Sequence, residues 1–277
     1  MLVYRPAESI TANKQLQWLN RAGKQVGLIA EPSLYQNVHL SPDGSRIAVS
    51  RIDRLSHTGD IWIYGIKRKT WSRFTFKSIS GGGIPSWSPD GKWIAFDRSG
   101  FGEIWKVHSD GRRLTRITSG AGATSPAWSP DGKTIAFTRV ANGHGQFWLM
   151  RADGSGARRL HTDVFAADQE PPPAWSHDGR RVAFVAMPSL KRAEIKLMNR
   201  DGSNVRILTK RFGYAWNPVW LPRDSGLVFL ARQTAGLGPA QLFVARPDGS
   251  LAHAVATRPR TEQFAWTSSP LPSRSCK

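Results

Sequence analysis

With 277 residues, 40% of them apolar, the chain is long enough to bury a substantial core; 39 Lys and Arg against 20 Asp and Glu leave it a formal charge of +19. The charge bears on solubility and partners and carries no information about the fold. The single cysteine, Cys276, excludes a disulfide within a monomer, and no apolar stretch is long enough to cross a bilayer as a helix.

Read from the N-terminus, the text predicts short strands throughout. The apolar runs are bounded by Gly, Pro, Asn or Asp, as strands and hairpins require. The chain opens with strands near 1–5 and 15–20, and a third, outer strand follows. A strand then ends at Leu40, with successors near 46–51 and 60–65. The same sequence recurs behind Trp87 (93–98, 103–108), Trp128 (134–139, 146–151), Trp175 (181–186, 194–199) and Trp220 (227–232, 240–245). An outer strand follows each third one. A last strand, Gln263-Phe264-Ala265-Trp266, stands alone.

The anchors Leu40, Trp87, Trp128, Trp175, Trp220 and Trp266 are spaced 47, 41, 47, 45 and 46 residues apart. Self-similarity at that period, with β-rich text between anchors, predicts an all-β, six-bladed β-propeller with four antiparallel strands per blade. The lone C-terminal strand supplies the inner strand that the N-terminal blade lacks, which predicts closure of the ring. Residues 1–268 are expected to form one domain and 269–277 a disordered tail.

The repeat Trp-Ser-Pro-Asp-Gly-Lys-x-Ile-Ala-Phe, seen at Trp87–Phe96 and Trp128–Phe137, is followed by Ile-Trp in one copy and by Asp-Gly turns leading to Arg, Leu and Thr. It resembles the WD-like repeat of the TolB propeller family across nearly the whole chain. Gln15–Lys24 is similar to propellers fused behind bacterial serine/threonine kinases and some winged-helix regulators. The resemblance implies a periplasmic or extracytoplasmic binding module. The chain as written shows no signal-peptide apolar region, so a cytoplasmic location stays open, and its start inside a strand suggests a longer parent or a misplaced start codon. The N-terminal α/β domain of TolB itself has no counterpart here.

No Gly-x-Ser-x-Gly elbow, His-Glu-x-x-His, phosphate loop or dinucleotide fingerprint is present. Of His39, His57, His108, His144 and His177, only His39 lies near the start of an inner strand, so no catalytic residue, metal or cofactor is assigned. The aspartates Asp43, Asp90, Asp131, Asp178 and Asp224, and Asp110, Asp153, Asp201 and Asp248, read as turn formers that bond their own backbone.

Arg5, Arg51, Arg98, Arg139 and Arg232 occupy one position at the ends of second strands. Hairpin register sets Arg51 opposite Asp60 and Arg98 opposite Glu103, whereas Arg5, Arg139 and Arg232 face Gln15, Gln146 and Gln241. Those three are candidates for a cationic rim that takes an anionic ligand or acidic peptide. Further candidate contacts come from the loops entering the inner strands: Tyr35, Asp168, Glu170, Tyr214, Trp216 and Glu262. The remaining basic pairs sit near turns and edges, where positive charge discourages sheet-to-sheet association; no groove or recognition helix suggests nucleic acid.

The expected function is therefore non-catalytic recognition of a protein or peptide by a monomer that inserts in no membrane. It would serve as an interaction or sensor module of a bacterial envelope or signalling protein. The alternative is a carbohydrate-active lyase or hydrolase with a site at the pore mouth.

Overall fold

A computed structural model describes residues 2–6, 13–19, 25–75, 83–98, 102–141, 144–164, 171–189, 192–232, 241–250, 253–254 and 261–266. The chain begins with β1 (Leu2–Pro6), β2 (Gln17–Leu19) and β3 (Gln25–Leu28). Next come β4 (Tyr35–Leu40), β5 (Arg46–Ile52), β6 (Gly59–Gly65) and β7 (Thr70–Arg73), then β8 (Pro85–Trp87), β9 (Trp93–Arg98), β10 (Glu103–His108) and β11 (Thr115–Arg116). These precede β12 (Ala123–Trp128), β13 (Thr134–Ala141), β14 (His144–Arg151) and β15 (Arg158–Val164), and β16 (Ala174–Trp175), β17 (Arg181–Ser189), β18 (Arg192–Asn199) and β19 (Arg206–Ile207). The last are β20 (Tyr214–Trp220), β21 (Leu227–Arg232), β22 (Gln241–Ala245), β23 (His253–Ala254) and β24 (Thr261–Trp266). The second and third strands of each repeat fall within three residues of their expected limits.

Strands β4 to β7, β8 to β11 and β12 to β15 each form a four-stranded antiparallel meander. So do β16 to β19 and β20 to β23, which a single parallel bridge between Ala193 and Tyr214 connects. In the remaining sheet the order is β24-β1-β2-β3. The C-terminal strand thus lies antiparallel to the N-terminal one, with Leu2 opposite Trp266 and Arg5 opposite Gln263.

The second strands are apolar on both faces because each sheet is covered on both sides. Ile47, Ala48 and Val49 are fully buried, and Ile94, Ala95, Ile135, Ala136 and Phe137 repeat the pattern. The core is distributed between consecutive sheets. Ala48, Ile61 and Ile63 pack on Trp87, Ile94 and Phe96 of the next sheet; Ala95 and Ile104 pack on Ile135 and Phe137; Ala183 and Ile195 pack on Ala215, Trp220 and Leu227. Each large buried side chain contributes about 1.5–3 kcal/mol relative to exposure.

In four repeats the first hairpin is held by one device. In the turns beginning at Ser41, Ser88, Ser129 and Ser176 the serine hydroxyl donates to the Asp two residues on, at 2.6, 2.6, 2.6 and 2.5 Å. The same oxygen accepts the backbone N–H of Arg46, Trp93, Thr134 or Arg181 at 2.9–3.0 Å. The turn glycines adopt φ of 67–69°, which a side chain resists. A Thr after the outer strand seals the opposite edge: Thr75, Thr118 and Thr209 accept the N–H of Ile61, Ile104 and Ile195.

Asp224 departs from the expected turn role. Its turn contains the short 3-10 segment Pro222–Asp224, and its carboxylate accepts the N–H groups of His177 and Asp178 in the preceding repeat at 2.7 and 3.0 Å. The altered sequence, Leu-Pro-Arg-Asp-Ser-Gly, moves the carboxylate out of its own turn and onto a neighbour.

Candidate functional site

The first strands converge on a cavity of about 460 Å³. Its walls are the strand ends Leu40, Trp87, Trp128, Trp175 and Trp220, with Pro42, Pro89 and Pro130 from the turns that follow. Val38, Val219, His39 and His177 complete much of the lining. Backbone irregularities help aim these strands: register shifts at Gln36/His39, Thr124/Ala127 and Trp216/Val219 enclose Asn37, Ser125 and Asn217, all at positive φ. Bulges of this kind bend a strand and redirect its side chains.

The walls interlock from sheet to sheet. His39 Nδ1 accepts the backbone N–H of Trp87 at 3.3 Å, and Ser86 Oγ accepts that of Trp128 at 3.3 Å. Where the equivalent residue is alanine, the indole reaches back instead: Trp175 Nε1 donates to Ala127 O at 3.2 Å and Trp220 Nε1 to Ala174 O at 3.0 Å. Burial lowers His39 to about 4, so its ring is neutral and remains an acceptor at neutral pH.

Basic side chains reinforce the same seams. The guanidinium carbons of Arg46, Arg181 and Arg200 lie 4.6, 4.8 and 5.5 Å from the ring centres of Trp87, Trp220 and Trp175. Arg200 also donates to Asp131 and Thr134 at 2.8 Å each. Part of the positive charge therefore works between sheets through cation–π contact and hydrogen bonding. Burial pushes Asp131 up, but donors from Ser129, Lys133 and Arg200 outweigh it and hold the carboxyl at about 2.

The residues expected at the opposite ends of these strands divide into several groups. The hairpin register places Arg51 opposite Asp60, Arg98 opposite Glu103 and Arg139 opposite Gln146. Gln241, however, faces Ala231 rather than Arg232. Tyr4 pairs with Gln17, which leaves Gln15 out of step with Arg5. The expected charge pairing also changes, because Asp60 binds Arg73 and Glu103 binds Arg116, both on outer strands. Outer-strand arginines reach along the sheet surface to the third strand, whereas the second-strand arginines lie over aromatics.

Arg51 stacks 5.1 Å over Trp62, Arg98 5.8 Å over Trp105, Arg139 4.9 Å over Trp148 and Arg232 5.5 Å over Trp216. Arg139 donates to Ser119 O at 2.9 Å. The Nε atoms of Arg139 and Arg232 are buried without a hydrogen-bond acceptor among the described residues.

Tyr35 is an interior residue, 2% exposed, whose hydroxyl donates to Glu31 O at 2.7 Å; burial pushes it up to about 12. It therefore belongs to the core beside Leu16, Leu40 and Ile47 and is not an exposed contact. Tyr214 and Trp216 are half-buried on β20, meet edge to face at 5.4 Å and pack on the core. The backbones of Arg5 and Glu262 lie in β1 and β24, and Asp168 and Glu170 lie outside the described residues.

Sequence reasoning treated the tryptophan anchors as core and placed contacts at the other end of the strands. The overlooked signal was the Pro two residues after Leu40, Trp87 and Trp128, which adds a rigid apolar ring at the cavity mouth. Chemically, this cavity offers aromatic and proline surface with a neutral imidazole. Among the described residues no group of three or more His, Cys, Asp or Glu could hold a metal ion.

Repeated four-stranded meanders whose inner strands line a common cavity define a β-propeller. Residues 33–172 match the model of the TolB beta propeller domain. The chain belongs to that family.

Solved structures agree in fold. Over 96% of this chain and 66% of the other, it is similar to TolB from Acinetobacter baumannii, with a TM-score of 0.76 and 22% identity. The present chain thus spans slightly less than two thirds of that protein. It also resembles a putative TolB from Agrobacterium tumefaciens over 94% of this chain and 90% of that one, with a TM-score of 0.71 and 18% identity. A chain of a nidogen/laminin complex matches over 95% of this chain and 96% of its own length, with a TM-score of 0.72 and 11% identity. A search of curated protein sequences found no match.

Proposed function

We propose that this chain is a six-bladed ring closed by β24, and that it acts without catalysis by binding an extended protein or peptide segment in its tryptophan-lined cavity. The cavity lining carries this reading: four indoles and several prolines surround about 460 Å³ in which the buried imidazole is neutral. Aromatic grooves with little charge suit apolar or proline-containing segments, whose pre-extended backbone loses little entropy on binding. Ring closure is supported by β24, which pairs with β1 and packs against both β4 and β20. Residues 1–268 then form one domain. Family membership supports an extracytoplasmic setting, as an interaction or sensor module of a bacterial envelope or signalling protein.

The opposite face is the place for an acidic portion of the same partner. Arg5, Arg139 and Arg232 are its proposed contacts, and Asp168, Glu170 and Glu262 are proposed contacts for basic or amide groups of that partner. The test is a pull-down from bacterial envelope extract at low and high salt. It compares wild type with Val38→Arg, which narrows the cavity, and with Arg5, Arg139 and Arg232 changed together to Gln. A protein retained at high salt by wild type and lost by a folded Val38→Arg variant supports recognition in the cavity. Retention by all three proteins, or binding only of polyanions that salt releases, refutes it.

A further inference from the structure

A second cavity, about 860 Å³, opens at the other end of the β4–β7 sheet, beside the loop joining β5 to β6. Ser33, Arg51, Arg54, Thr58 and Trp62 contribute to its walls, together with the pair Asp60 and Arg73. Its volume is in the range of small-molecule sites.

The charges in this cleft can be followed one by one. Asp60 is bound by Arg73, so these two offset each other. The Asp53 carboxylate is occupied locally, accepting from the N–H groups of Leu55 and Ser56 at 3.0 and 2.9 Å and from Ser56 Oγ at 3.0 Å. Those donors lower its pKa. Arg51 and Arg54 remain. Arg51 Nε donates to Ser33 Oγ at 3.1 Å, and Arg54 Nη2 donates to Asn13 Oδ1 at 2.6 Å. Both partners are neutral, and among the described residues neither guanidinium forms an ion pair with a carboxylate. A guanidinium has five N–H donors in a rigid fork, so donors remain on each. Arg51 is also fixed over Trp62, which holds its plane in place before any ligand arrives.

We propose that this cleft binds a small molecule bearing an oxyanion, either carboxylate or phosphate, with Arg51 and Arg54 as its charge partners and Ser33 and Thr58 as neutral hydrogen-bonding groups. The site is independent of the tryptophan-lined cavity. Paired guanidinium groups bind planar or tetrahedral oxyanions through charge-assisted hydrogen bonds.

The experiment is calorimetric titration of the full chain in low-salt buffer with inorganic phosphate, glucuronate and, as neutral control, glucose. Four proteins are compared: wild type, Arg51→Gln/Arg54→Gln, Arg112→Gln as a charge loss elsewhere, and Glu8→Gln, which removes a carboxylate from the segment joining β1 to β2. Wild type and Arg112→Gln should bind phosphate or glucuronate at one equivalent, and the double variant should bind at least tenfold more weakly with its melting temperature retained. Binding of phosphate alone assigns a phosphorylated ligand, and binding of glucuronate alone a carboxylated one. Equal affinity in the double variant, equal affinity for glucose, or an equal loss in Arg112→Gln overturns the proposal. So does binding that arises only in Glu8→Gln, because the chain would then fill its own site.

Discussion

Ser129→Ala is the sharpest probe of the hairpin that repeats along this chain. Ser129 is fully buried, its hydroxyl lies 2.6 Å from Asp131 Oδ1, and its oxygen accepts the Thr134 N–H at 3.0 Å. Removing it leaves that N–H without its side-chain acceptor. It also takes one donor from Asp131, which keeps Lys133 N at 3.0 Å and Arg200 at 2.8 Å. Leaving a buried donor unsatisfied costs about 1–3 kcal/mol. Taking about 2 kcal/mol, and about 2.1 cal/mol/K per residue over 277 residues, the melting temperature should fall by about 3–4 °C. Urea unfolding and calorimetry of Ser129→Ala, with the exposed Ser155→Ala as comparison, measure this. The variant should also shift the Asp131 carboxyl upward, which NMR titration reads. A destabilisation below about 0.5 kcal/mol, equal to that of Ser155→Ala, would refute the serine's role in holding the hairpin.

Gly154 and Gly111 occupy equivalent Asp-Gly turns but differ in surroundings. A Cβ at Gly154 would lie 2.2 Å from Ile117 O of the preceding sheet, whereas one at Gly111 would meet nothing within 4 Å. With φ positive at both, Gly111→Ala should cost about 1 kcal/mol and Gly154→Ala clearly more, measured by urea unfolding; equal losses would show that the sheets do not press together there. His39 predicts an acid limb. Its folded value of about 4 lies below 6.5, so between these the unfolded state binds more protons and stability falls as pH drops, by at most about 3 kcal/mol. His39→Gln should flatten that limb in unfolding measured from pH 4 to 7; an unchanged slope would remove His39 from it. Truncation before Phe264 takes away half of β24, the strand paired with β1, and should lower the melting temperature by several degrees, and unaltered stability would dismiss closure through β24.

Local chemistry made the strands and turns legible. Alternating apolar runs, Asp-Gly pairs and the period between anchors depend on neighbours in sequence, so the limits of β9 and β10 could be read directly from Trp93–Arg98 and Glu103–His108. The pairing of β24 with β1 was legible too, since an unpaired C-terminal strand and an incomplete N-terminal sheet need one another. The charge pairing was not. Register put Asp60 opposite Arg51, but the carboxylate turned to Arg73 on the outer strand next to it, a choice made by side-chain reach and not by register. Tyr35 was equally opaque: polar Gln36 and Asn37 follow it in sequence, and it is buried by packing with residues distant in sequence, among them Trp71, with ring centroids 5.6 Å apart. Sequence by itself thus determined where the backbone extends and where it turns, because those preferences act within a few residues. The tertiary structure decided which tryptophans share a cavity and which arginines keep donors to spare, because burial and electrostatic pairing depend on groups that meet only after the sheets have packed.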